Sequence, residues 1–192
     1  MQAAKKQLRK EIKKRISSLT EEEKLLQSNN VTKQVLQHPK YVSSKRLSIF
    51  LSMNDEVKTD AILKQAFQQK KDVYIPKYIG NTMDMVKLES LEDYNSLPET
   101  SWHIKQPSDN DNSRPNALVT GGLDLILMPG LGFSTDGKRL GRGKGYYDNY
   151  IKKLQENGYH PYLLALAYSV QLCNEIPVSE FDYPVHEVLY SD

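Results

Sequence analysis

The stretch Leu123–Pro129 (LDLILMP) constrains the fold more than any other part of the chain. A short apolar run bounded by turn residues reads as a strand buried on both faces. A glycine-rich loop follows it, and then a helical pattern, beginning near Gly143–Tyr146, runs through Ile151 and Leu154. Such a strand needs the interior of a sheet, and such a helix needs a sheet face to cover. RLSIFLS at 46–52, DVYIP at 72–76 and YLLALAY at 162–168 repeat the strand pattern, with Pro76 expected to end the second. MDMVKL at 83–88 alternates weakly, as a shorter strand nearer an edge does, and EVLY at 187–190 reads as a last strand. Helical patterns lie between. Leu8, Ile12, Ile16 and Leu19 form one apolar stripe ringed by Lys and Arg. Thr20 followed by Glu23 is a capping box that opens a second helix, which should stop before Pro39. Thr59 or Asp60 caps a helix carrying Ile62, Leu63, Ala66 and Phe67. This alternation predicts a three-layer α/β/α sandwich around a mainly parallel, Rossmann-like sheet, formed as a single domain over 1–192.

Charge and composition exclude some classes. No apolar run approaches the ~20 residues of a membrane span, and no signal-peptide pattern follows Met1. Cys173 is the only cysteine, so no internal disulfide forms, which suits a reducing, cytoplasmic setting. A net charge of +2 is too small to imply nucleic acid. The charge is unevenly spread, however: residues 5–15 hold seven cations and one acid, and Lys138, Arg139, Arg142 and Lys144 form a second cluster. Two such clusters either converge on one polyanion or are two solvated surfaces.

In a parallel sheet ligands bind beyond the carboxyl ends of the strands, here the loops 52–58, 76–82 and 129–143. The last runs into RLGRGKGYYD, 139–148, with Gly141, Gly143 and Gly145 alternating with Arg142 and Lys144. It is not a Walker loop, because Lys138 stands where the first glycine belongs and Gly145 where Ser or Thr belongs. Nor is it a dinucleotide fingerprint, because Tyr146 occupies the third glycine position. Alternating glycines still let backbone N–H groups turn toward an anion, and the helix that begins beside them adds its positive dipole end. Asp148 would weaken anion binding unless a cation such as Mg²⁺ bridged it to a phosphate; alternatively it stabilises the helix N-terminus. Tyr146 and Tyr147 either pack on the sheet or lie against a flat heterocycle. Asp55 and Glu56 read as plain loop acids, or, if Glu56 is buried, as an acceptor for an amino-pyrimidine edge. His38, His103, His160 and His186 have no metal-ligand spacing, and no Cys/His pair suggests a nucleophile. Base rates assign Trp102 to core or rim packing, and segment 105–117 has the composition of a mobile loop.

SIFLSMNDE, DLILMPGLGF and RLGRGKGYYD, in this order and with IPKY, MDMV, TSW and HEVLY in place around them, resemble the 5-formyltetrahydrofolate cyclo-ligase family in its eukaryotic cytosolic form. The resemblance covers nearly the whole chain. It implies an ATP- and Mg²⁺-dependent closure of 5-formyltetrahydrofolate to 5,10-methenyltetrahydrofolate, with ADP and phosphate released. By position it implies that Lys5 and Arg9 contact ATP, together with Arg139, Leu140, Gly141, Arg142, Gly143, Lys144, Gly145, Tyr146 and Tyr147. Arg142 to Tyr146 would also face the folate, and Leu51 and Glu56 would contact its pterin. Arg142, Lys144 and Tyr147 would serve the chemistry, and Asp148 and Asp182 would hold Mg²⁺. The implied partners are Mg-ATP and the folate, with or without a polyglutamate tail, acting on a monomer with no nucleic acid and no membrane. Two rival readings are a sugar-phosphate isomerase or coenzyme A transferase on a related fold, and an RNA-binding module gripped through the basic first helix. The latter lacks aromatics interleaved with its lysines.

Overall fold

The computed structural model describes residues 1–191. Helix α1, Gln2–Ser17, buries Ile12 and Ile16, the centre of the apolar stripe. Helix α2, Glu21–Gln37, opens on the capping box: Glu23 N–H donates to Thr20 Oγ1 at 3.1 Å and Thr20 N–H to Glu23 Oε2 at 2.7 Å. Pro39 both ends α2 and starts a short helix α3, Pro39–Ser43, since its fixed φ suits a first helical turn. Then come β1 (Arg46–Ser48), α4 (Asp60–Gln68), β2 (Asp72–Ile79), β3 (Thr82–Leu88), α5 (Leu91–Ser96) and β4 (Leu125–Met128). A two-stranded ribbon, β5 (Gly132–Phe133) and β6 (Arg139–Leu140), leads to α6 (Tyr146–Glu156), β7 (Tyr162–Tyr168) and β8 (Glu187–Ser191).

Six strands form one sheet in the order β3-β2-β1-β4-β7-β8. Every pairing is parallel except that of β2 with the edge strand β3. Side-chain alternation divides the core. Leu125, Leu127, Leu164, Leu166, Val73 and Ile75 face α1, α2 and α4 through Ile12, Val31, Val35, Ile62 and Leu63. Ile126, Met128, Leu163, Ala165 and Tyr74 face α6 through Tyr147, Tyr150, Ile151 and Leu154. This is the expected three-layer sandwich. No helix among the described residues is long and apolar enough to cross a membrane.

Three local expectations are corrected. The strand expected over 46–52 pairs only to Ser48, and the chain then crosses the carboxyl edge of the sheet, where Phe50–Met53 wall a cavity. Pro76 does not end β2. Tyr74 C=O accepts from Ile49 N–H on the β1 side, so Pro76, two residues on, directs its missing donor to the side that β1 has vacated. There the Gln106 side chain replaces a strand, accepting from Tyr78 N–H at 3.0 Å and donating to its C=O at 2.9 Å. The loop expected at 76–82 is therefore strand up to Ile79 and a hairpin turn to Thr82. Segment 105–117 is tied down despite its composition. Lys77 Nζ donates to the carbonyl of Asp111 at 2.7 Å, and Arg114 forks onto Asp93 at 2.6 and 2.7 Å while its Nε reaches Asp111 at 2.8 Å.

Candidate active site

The glycine loop leaves β6 at the carboxyl edge of the sheet and feeds α6. Gly143 has φ +109° and Gly145 φ +70°, backbone that side chains rarely adopt, so these two positions require glycine. Gly145 is also the N-cap of α6 and supplies no capping oxygen, so the first-turn N–H groups of the helix keep their hydrogens for another acceptor. Gly143, Lys144 and Gly145 are exposed. The loop thus presents unscreened amides, as its composition predicted.

A depression lies on each side of this loop. The first is a cavity of about 260 Å³, walled by Phe50, Leu51, Met53 and Glu56 after β1, Pro76 and Tyr78 of β2, and Trp102, Ile104 and Lys105. Pro129, Gly130, Arg142, Lys144, Gly145, Tyr146 and Tyr147 close it. The second, of about 220 Å³, is lined by Gln2, Lys5 and Arg9 of α1, by Arg139, Leu140, Gly141, Gly143 and Gly145, by Tyr146, Asp148 and Asn149 of α6, and by Ser179, Phe181 and Asp182. Gly145 and Tyr146 belong to both, so one short wall separates them.

The second pocket is polar, and its charges other than Arg9 are paired. The Lys5 ammonium, only 7 % exposed as a residue, meets Asp182, which also accepts from Ser179 N–H at 2.6 Å. Burial alone would raise the Asp182 pKa, but Lys5 and Ser179 outweigh it and hold the carboxyl below its ordinary value. Arg9 Nε donates to Gly141 C=O at 2.8 Å and ties α1 to the loop. Arg139 is buried; Nη2 reaches Asp148 Oδ2 at 2.9 Å and Nη1 the Pro129 carbonyl at 3.2 Å. Asp148 Oδ1 accepts from Tyr183 N–H at 2.9 Å. The donor set suits a Mg²⁺ that arrives on a phosphate chain, which needs only one or two protein carboxylates. Asp148 and Asp182 line the same pocket, and Asp182 Oδ1 takes no hydrogen bond among the described residues. Described residues form no cluster of three or more metal-ligating side chains, so phosphate and water oxygens would complete the shell.

The first cavity is mostly apolar around one polar group. Arg142 forks onto Asp55, with Nη2 to Oδ1 at 2.6 Å and Nη1 to Oδ2 at 3.1 Å. It also reaches Glu56 Oε1 from Nη2 at 3.1 Å and from Nε at 3.3 Å. Glu56 Oε2 accepts from Met53 N–H at 2.9 Å, and the residue is 6 % exposed. Burial pushes the Glu56 pKa up despite the guanidinium and the Met53 amide. Tyr147 is buried beneath Arg139, with the guanidinium 5.8 Å from the ring centroid, and burial raises its hydroxyl pKa well above the usual value. Lys144 makes no salt bridge or side-chain hydrogen bond to the described residues, so its ammonium is available at the wall of the apolar cavity.

All the residues expected from sequence line one depression or the other. Lys5, Arg9, Arg139, Leu140, Gly141, Gly143, Asp148 and Asp182 line the polar pocket; Leu51, Glu56, Arg142, Lys144 and Tyr147 line the apolar cavity; Gly145 and Tyr146 line both. Asp55, read as a plain loop acid, instead holds Arg142. Trp102 is not core: it stands 63 % exposed at the rim. Tyr78, Ile104 and Met53 were not singled out; each lies in a segment whose approach to the loop depends on the folded chain.

The chain matches the 5-formyltetrahydrofolate cyclo-ligase family over residues 1–191. It is 53 % identical to 5-formyltetrahydrofolate cyclo-ligase of Mus musculus, with 99 % of this chain and 95 % of that protein covered. It is 37 % identical to a probable 5-formyltetrahydrofolate cyclo-ligase of Caenorhabditis elegans, over 97 % of this chain and 92 % of that one. Among solved structures it superposes on 5,10-methenyltetrahydrofolate synthetase of Aquifex aeolicus with a TM-score of 0.77 and 29 % identity, covering 96 % of this chain and 88 % of that chain.

Proposed function

This chain belongs to the 5-formyltetrahydrofolate cyclo-ligase family, and from that premise we propose that it converts 5-formyltetrahydrofolate to 5,10-methenyltetrahydrofolate with consumption of ATP. The observation that carries the reading is the pair of depressions sharing Gly145 and Tyr146, one polar and cation-lined, the other apolar around a buried carboxylate. ATP occupies the polar pocket with its phosphates at the amides of Gly143–Tyr146, between Arg9 and Arg139. The folate occupies the apolar cavity, with its pterin beside Leu51 and its amino-pyrimidine edge on Glu56. Its formyl group then lies at the shared wall, within reach of the terminal phosphate.

The residues suit a reaction that is mostly positioning and charge stabilisation. A formamide oxygen is a poor nucleophile, and as hydroxide it is a worse leaving group. When the formyl oxygen attacks the terminal phosphorus, ADP departs and the oxygen becomes part of a phosphate ester. N10 then attacks the formyl carbon and loses its proton, and the oxygen leaves as phosphate. Lys144 and Arg142 face the transferred group, and the loop amides stabilise the charge that develops on it. Tyr147 supports Arg139 from below. Mg²⁺ held by Asp148 and Asp182 would supply charge neutralisation at the phosphates. No covalent enzyme intermediate is required. The protein works as one domain and as a monomer in the cytoplasm, on the folate with or without a polyglutamate tail, and takes no nucleic acid.

The test is to mix protein, 5-formyltetrahydrofolate and Mg-ATP and follow the near-ultraviolet absorbance of the methenyl product. Growth of that absorbance that needs all three components is the expected result; its absence at any enzyme concentration overturns the reading.

A further inference from the structure

Arg142 cannot serve a phosphate and stay where it is. Its guanidinium is committed to two carboxylates at once, the fork on Asp55 and the paired contacts on Glu56 Oε1. Glu56 is committed at one oxygen: Oε1 already accepts two N–H groups, while Oε2 accepts only the Met53 amide. A carboxylate oxygen offers two acceptor positions, so an amino-pyrimidine edge that sets two N–H groups across both oxygens must displace an Arg142 N–H from Oε1. When that happens before nucleotide is present, the guanidinium needs another anion, since an arginine beneath a bound ligand is costly when unpaired. Asp55 is that anion. Its side chain is 33 % exposed at the cavity edge, and among the described residues it hydrogen-bonds only to Arg142.

Building on the proposed placement of the folate at Glu56, we infer that Asp55 is a positioning residue that keeps Arg142 paired while the folate takes Glu56. It thereby lets the folate bind ahead of the nucleotide. Once nucleotide is bound, its phosphates provide the anion that Arg142 needs, and Asp55 no longer contributes to folate binding. The role depends on nucleotide, which a purely structural role would not.

The test is the affinity for 5-formyltetrahydrofolate, measured by calorimetry with and without a saturating non-hydrolysable ATP analogue. For Asp55→Asn the dissociation constant should rise about tenfold without nucleotide, the scale of a lost charge-assisted hydrogen bond. It should return to the wild-type value with the analogue present. Asp55→Glu, which keeps the charge, should restore most of the nucleotide-free affinity. An unchanged dissociation constant in Asp55→Asn under both conditions overturns the proposal. So does an equal weakening under both, which would make Asp55 a direct contact or a structural residue. Glu56→Gln tests the premise separately: if folate affinity is unchanged in that variant, the pterin does not rest on Glu56 and the proposal falls with its premise.

Discussion

The two depressions share the Gly145–Tyr146 wall yet are built by opposite means. The polar pocket gathers charges from distant parts of the chain and neutralises most of them in pairs, Lys5 with Asp182 and Arg139 with Asp148, with Arg9 on a backbone carbonyl. The apolar cavity gathers Phe50, Leu51, Tyr78, Trp102 and Ile104 around a single knot of Asp55, Glu56 and Arg142. Under the proposed function the difference follows from what each would hold. A phosphate chain is strongly solvated, and many fixed dipoles and cations must replace its water. A pterin is flat and weakly charged, and is held by burial plus a few directed hydrogen bonds. The glycine loop is the one element that suits both, because bare backbone donates on the phosphate side and occupies little space on the other.

That contrast can be broken most severely at Lys144, which lines the apolar cavity and is proposed to act in the reaction. Lys144→Ala should lose about 100-fold or more in kcat while the melting temperature stays put, because the side chain is exposed and unpaired among the described residues. Wild-type turnover in that variant would exclude the ammonium from the chemistry.

Next in size is Glu56. Glu56→Gln should raise the dissociation constant of 5-formyltetrahydrofolate by about 10-fold or more and leave nucleotide affinity unchanged. An equal effect on both ligands would show that the two sites are not separately built. The sign of the pH dependence follows from the raised pKa of this carboxyl. Its charged form is lost as pH falls through a value above the ordinary glutamate range, so wild-type folate affinity should fall earlier on acidification than in Glu56→Gln.

Gly143→Val makes the complementary change. A β-branched residue at φ +109° strains the loop by roughly 1–3 kcal/mol, so nucleotide affinity should drop by about tenfold in a calorimetric titration, with a smaller loss for the folate. Equal losses would contradict the division of labour.

The smallest effect is expected at Arg114, which anchors the segment following Trp102 and Ile104. Arg114→Ala should lower the melting temperature by about 2–4 °C and raise KM for the folate alone. The Arg114 guanidinium holds Asp93 below the ordinary carboxylate range, and Ser113, followed by Arg114, brings Asp111 down to about 2. A depressed acid stabilises the fold above its unfolded pKa and loses that contribution as pH falls through the folded one. Wild-type stability should therefore decline between about pH 4 and about pH 2, and the variant should decline less steeply.

What the sequence revealed, and what it hid, divides along similar lines. The glycine loop was legible because its chemistry is local: glycines, cations and a helix start lie within ten consecutive residues. The Thr20–Glu23 capping box and the strand around Leu125–Met128 were legible for the same reason. The knot of Asp55, Glu56 and Arg142 was not, since 86 residues separate Glu56 from its arginine and only the sheet brings them together. Segment 105–117 read as mobile because its anchors, Lys77 and Asp93, lie in other segments. Pro76 read as a strand end because one cannot see from sequence that its donor side faces no neighbouring strand.

If one glycine loop parts two substrates as proposed, the nucleotide's phosphates lie on its α1 side. A crystal structure with ADP or a non-hydrolysable ATP analogue tests it most directly. Phosphate density should appear against the amides of Gly143–Tyr146, between Arg9 and Arg139. Phosphate density in the cavity lined by Leu51 and Tyr78, or anywhere away from the loop, would contradict it.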